Sequence, residues 1–214
     1  MKRPLPPPVP EDEDAFASSS PFIPAPELDE WARQTFIEED DSPLFNEEHR
    51  HLMVAKIGFL WARVTNSKNG MQVLGQCEFR PPNTMGKWPR ARAQMQLDEW
   101  FPQYRLLGLD FLITIDAAYA EECSDAEFCA LIEHELLHCG QERDEFGAPK
   151  FSRASGMPVF AMRGHDVQEF VSIVRRYGAD AAHVRAMVDA AKNGPEIAHV
   201  HVAQACGTCL LRVA

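Results

Sequence analysis

Leu131-Ile132-Glu133-His134-Glu135-Leu136-Leu137-His138-Cys139 reads as H-E-x-x-H on a helix. At 3.6 residues per turn, His134 and His138 stand one turn apart on one face, where two imidazoles can grip a single zinc ion. Glu135 projects from the same turn and cannot reach the metal as a further helix ligand. It is left beside an activated water, the place for a general base. Upstream, Ser124-Asp125-Ala126-Glu127 is a capping box, and Phe128, Leu131, Ile132 and Leu136 follow at helical spacing. Gly140 offers a C-terminal stop. The bland alternative is a half-buried helix whose two histidines are satisfied by hydrogen bonds.

A catalytic zinc takes three protein ligands and a water, so the helix needs a partner further along. His165 opens the run Gly164-His165-Asp166-Val167-Gln168-Glu169-Phe170. Glu169 lies one turn later on the same face and is the substitute ligand. Asp166 suits an acceptor for a ligand's other N–H, because metal-bound imidazoles usually donate that proton to a neighbour. Asp144 and Glu145 could accept likewise and are read instead as exposed loop charges.

The surroundings set the fold. The chain has 214 residues, 45% of them hydrophobic, enough for one core and a tail. Its net charge of −11 is uneven: residues 1–48 hold 13 acids and 3 bases, a balance of −10 that leaves −1 for the body. Net charge therefore says little about the body's partners. Residues 1–42 are rich in proline and acid and read as a disordered tail. Within it Leu28, Trp31, Ala32, Thr35 and Phe36 fit one short amphipathic turn. Residues 43–65 fit a helix with Phe59 and Trp61 in the core, and with His49 and His51 on the surface.

Residues 66–70 are a turn, and Met71–Phe79 alternates like a strand. Residues 80–102 read as a loop whose Lys87, Arg90 and Arg92, next to Trp88, are solvated charges rather than a nucleic-acid contact. Leu109–Ile115 is the strongest strand, taken as an edge. A loop over 141–163 follows, then helices over 163–177 and 179–192.

No apolar run approaches a membrane span, and the N-terminus leads into prolines, so a cytoplasmic protein is expected. The six cysteines do not pattern as a secreted disulfide framework. Cys206 and Cys209, with His199 and His201 before them, read first as inert thiols in a strand and turn. A four-ligand zinc site is the next reading and a redox dithiol the third.

Three blocks in order, Asp110–Ile115, Ala130–Cys139 and His165–Phe170 closing in Ile173–Gly178, resemble the phage metallopeptidases. The resemblance implies an α+β, zincin-like fold similar to SprT-like minimal domains: a short twisted, mostly antiparallel sheet on the H-E-x-x-H helix. The resemblance covers roughly residues 44–180, and the domain is taken over residues 43–194, with residues 195–214 as an extension carrying C-x-x-C. It implies one zinc per chain, with ligand roles for His134, His138 and His165, Glu135 as the catalytic carboxylate, and a protein or peptide substrate. Glu133 and Tyr119 depart from the family's pattern. The competing class is a zinc-stabilised phage protein that binds a host protein or DNA without hydrolysis. The oxyanion donor is left among Tyr119, Arg163 and Tyr177.

Overall fold

The computed structural model describes residues 2–9, 20–38, 42–68, 70–167, 174–176, 178–179 and 184–194. Among the described residues the chain divides into two compact units, residues 2–163 and residues 164–194. The first is an α+β unit built on a four-stranded sheet in the order β1 (Phe22–Pro24), β2 (Ile57–Ala62), β6 (Phe111–Asp116), β5 (Gly75–Phe79). β1 and β5 pair antiparallel with their neighbours, whereas β2 and β6 run parallel, Ile57 opposite Phe111 through Ala62 opposite Asp116. A hairpin of β3 (Asn66–Lys68) and β4 (Met71–Val73) lies between β2 and β5 in the chain.

β6 is thus an interior strand. The expectation of an edge fails because Ile57–Ala62, placed by the sequence inside a helix, is a strand that covers β6 on one side. Ile-Gly-Phe-Leu-Trp-Ala is apolar throughout, and a run buried on both faces carries no period that separates strand from helix. Only Glu47–Val54 ahead of it is helical, as 3-10 turns. Phe59 and Trp61 are in the core as expected.

The stretch Phe22–Ile37, expected in a disordered tail, is part of the fold. Its prolines sit where each element tolerates them: Pro24 ends β1, and Pro26 occupies the first turn of α1 (Pro26–Ala32), which continues as a π turn over Arg33–Ile37. Leu28, Trp31, Ala32, Phe36 and Ile37 are buried. Lys87–Trp100, read as a loop, is a helix, α2. Pro89 is harmless in its first turn, where the backbone N–H has no helical acceptor anyway.

After β6 come α3 (Ala117–Glu122), α4 (Asp125–His138) and a hairpin of β7 (Cys139–Gln141) with β8 (Phe160–Met162). Bridges Arg143–Pro149 and Phe151–Pro158 extend that hairpin through the stretch expected to be a loop. The two faces of the sheet are covered separately. Phe128, Leu131, Ile132 and Leu136 of α4 join Phe59, Trp61, Phe111, Ile113 and Ile115 in the larger cluster. Leu97 of α2, with Phe101 and Leu109, packs on Leu60 and Leu112 of the opposite face. Phe128 is central to the first: its ring lies 5.5 Å from Trp31 and 6.2 Å from Trp61.

In the second unit α5 spans Arg185–Asn193, starting later than expected. His165 and Asp166 are exposed and lie outside a helix, and Val174–Arg176 are helical. Glu169, Tyr177, His199, His201, Cys206 and Cys209 lie outside the described residues. No described helix is long and apolar enough to cross a membrane.

Candidate metal centre

α4 begins as its sequence dictates. Ser124 Oγ accepts from Glu127 N at 3.3 Å, and Glu127 Oε2 accepts from Ser124 N at 2.9 Å, the reciprocal capping box. Phe128, Leu131, Ile132 and Leu136 then bury one stripe against the sheet, which fixes the rotation of the helix. Glu135 and His138 are carried inward with the stripe, at 0% and 2% exposure, while His134 is half-buried.

The rings of His134 and His138 meet edge to face with centroids 4.9 Å apart, their Nε2 atoms separated by 3.3 Å. Two nitrogens held about 2.05 Å from one tetrahedral ion stand about 3.3 Å apart, so the pair has the spacing of two ligands of a single metal. The proton on His138 is placed by its surroundings. Nδ1 lies 2.7 Å from the carbonyl of Arg163, which can only accept, so Nδ1 donates and Nε2 of the neutral ring keeps its lone pair. Arg163 is tied a second time, its N–H donating to the carbonyl of His138 at 3.0 Å.

These two bonds bear on the third imidazole. His165 follows Arg163 by two residues, which places its Cα within about 7.6 Å of that post by chain length alone. His134, His138 and His165 form a group that could hold a metal ion, each offering one ring nitrogen.

Glu135 faces β5. A Cβ built on Gly75 would stand 2.7 Å from Glu135 Oε1 and 3.0 Å from its Cγ, so the missing side chain of Gly75 is the room the carboxylate occupies. The same strand is held to the end of α4 by Cys77, whose Sγ lies 3.5 Å from that of Cys139, both thiols being buried. Gly140, expected as a helix stop, serves close approach instead: its Cβ would meet Arg163 Cβ at 2.9 Å and the carbonyl of Ala161 at 3.1 Å.

His49 and His51 are not surface residues. His51 Nε2 lies 2.7 Å from the carbonyl of Cys139 and donates to it, bracing the end of α4. His49 is 1% exposed, and burial pushes its pKa down to about 4. Neither carries a spacing signal, since nothing in Glu47–Val54 announces which side faces the body. Glu48 of the same turns pairs with Arg163 at 2.7 Å, which commits that arginine to a structural ion pair. Tyr119 is half-buried at the start of α3. Asp144 turns on itself, accepting from the N–H groups of Phe146 and Ala148, as exposed loop charges do. Glu133 accepts from Asn46 Nδ2 at 2.8 Å.

The family model described as "putative phage metallopeptidase" matches residues 23–192. No curated protein matches the chain. No solved structure matches it either.

Proposed function

Since the chain belongs to the phage metallopeptidase family, we propose that it is a zinc-dependent peptidase of zincin-like architecture, with His134, His138 and His165 as ligands and Glu135 as general base. The observation that carries this reading is the 3.3 Å separation of two Nε2 atoms on a helix whose intervening glutamate is buried against a glycine strand. A divalent ion bound there supplies Lewis-acid polarisation of the scissile carbonyl and lowers the pKa of a coordinated water.

Glu135 takes the proton of the attacking water and returns it to the departing amine, two transfers that need a carboxylate fixed in place. Gly75 and the buried stripe of α4 do the fixing. Arg163 and His51 hold the His138 end of the helix through its imidazole, its carbonyl and the next carbonyl. β6 has neighbours on both sides, so the peptide is taken along the outer edge of β5, where backbone groups of an extended substrate pair with the strand.

The test is a zinc count on purified wild type, His134→Ala, His165→Ala and Glu169→Ala, beside peptidase assays of Glu135→Gln. One zinc per chain, lost with either histidine, and proteolysis abolished in Glu135→Gln at full zinc content are expected. Proteolysis surviving Glu135→Gln overturns the role of that carboxylate. A phage-related activity other than proteolysis that is lost on chelation but indifferent to Glu135→Gln points to the binding class. Two zincs per chain would place a second ion at Cys206 and Cys209.

A further inference from the structure

We propose that the exposed start of α2 is a docking surface for single-stranded nucleic acid. The inference is independent of the peptidase reading and uses none of its residues.

Charge is the first observation. Residues 79–97 contain four cations, Arg80, Lys87, Arg90 and Arg92, and no acid, while the rest of the chain holds 17 cations and 32 acids, a balance of −15. A basic island in so acidic a chain is local by design rather than a reflection of composition. Lys87, Arg90 and Arg92 are exposed, and among the described residues none of the three has an ion-pair partner. Other cations of the fold are engaged, among them Arg3 with Asp125, Arg33 with Asp29, Lys56 with Asp110 and Lys150 with Glu142.

Their placement opposes the helix. The first turn of α2 carries no acid, and cations there face the positive end of the peptide dipoles, an arrangement that costs stability unless an anion arrives. The apolar residues point the same way. Trp88 is 83% exposed and Met85 94%, while α2 is anchored only by its later turns, where Leu97 is buried. The first two turns, from Lys87 to Ala93, therefore lie largely clear of the sheet.

Cations beside an unburied indole match a polymer of phosphates and unpaired bases: the charges take the backbone, and the ring stacks on a base. A duplex hides its base faces and would leave Trp88 unused. An anionic bilayer would want a continuous apolar stripe, and here Arg92 interrupts the line from Trp88 to Met95. Because α2 and α4 pack on opposite faces of the sheet, a strand bound at α2 leaves the His134–His138 face clear.

The experiment measures anisotropy of a labelled 20-mer of thymidylate with the full chain across a salt series. It includes Trp88→Ala, a Lys87→Glu/Arg90→Glu/Arg92→Glu triple variant, and circular dichroism to confirm folding. Wild type should bind with a log–log salt slope of about −2, as three phosphate contacts on a single strand require. The triple change should weaken binding at least tenfold and flatten the slope. Trp88→Ala should weaken it at least fivefold with the slope retained. Three results overturn the proposal: no binding at low salt; duplex of equal length bound as tightly and indifferently to Trp88→Ala; or co-sedimentation with phosphatidylserine vesicles, through these residues, in place of oligonucleotide binding.

Discussion

Gly75 and Glu135 share one volume: a methyl group on the glycine would stand 2.7 Å from the carboxylate oxygen of the glutamate. The atoms it would strike first are the carboxylate and its neighbouring carbons rather than backbone. Gly75→Ala should therefore act on Glu135 more than on the fold. We expect proteolysis to fall at least tenfold with zinc content unchanged and with a stability cost of about 1–3 kcal/mol. Wild-type turnover in this variant would show that the proton passes elsewhere.

His49 gives the fold an acid limit. Its folded pKa, about 4, lies below the ordinary 6.5 because burial penalises the charged ring. Below 6.5 the unfolded chain takes up a proton that the folded one refuses. The neutral histidine's contribution is thus complete above pH 6.5 and is lost as pH falls towards 4, by about 3 kcal/mol in all. Denaturant titrations of His49→Leu and wild type should run parallel above pH 7 and converge or cross near pH 5. Parallel curves throughout would exclude this residue as the cause.

Ser124→Ala removes one half of the capping box on the metal-bearing helix. It should cost about 1 kcal/mol of stability, read from the urea midpoint, with metal affinity nearly intact because His134 and His138 lie turns away from the cap.

Arg3 fastens the N-terminal residues to two helix ends. Its guanidinium donates to the carbonyls of Ala120 and Cys123 at 3.0 and 2.7 Å, pairs with Asp125 at 2.7 Å, and lies 4.9 Å above the ring of Phe128. Arg3→Ala should destabilise by about 2 kcal/mol, and thermal unfolding measures it. A change below about 0.5 kcal/mol would mean that this strap is ornamental.

What could be read beforehand follows from where period and punctuation survive. The start of α4 was legible to the residue, because Ser124 and Glu127 cap it and its apolar positions recur at helical spacing, whereas its end at His138 falls short of the glycine expected to stop it. β6 was legible as a strand but not as an interior one, since its neighbour β2 has no alternation to betray it. α1 was legible as one amphipathic turn, with Leu28, Trp31, Ala32 and Phe36 buried, but the surrounding prolines set it in a disordered tail, although Pro24 and Pro26 occupy positions that favour proline. α2 was masked by Pro89 and by polar residues around its projecting first turns. For the site, the helical spacing singled out His134, Glu135 and His138. The service of Gly75, His51 and the Arg163 carbonyl depends on strands and turns meeting from distant parts of the chain, which leaves no local trace.

The parallel pairing of β2 with β6 also has a bearing on how the molecule assembles. The two strands are separated by residues 63–110, and contacts closing so long a loop forfeit entropy before they return any energy. On the ribosome, β2 must wait, with its apolar side chains unsheltered, until Asp116 has emerged. Newly made chain is thus most open to aggregation and to chaperones in that interval.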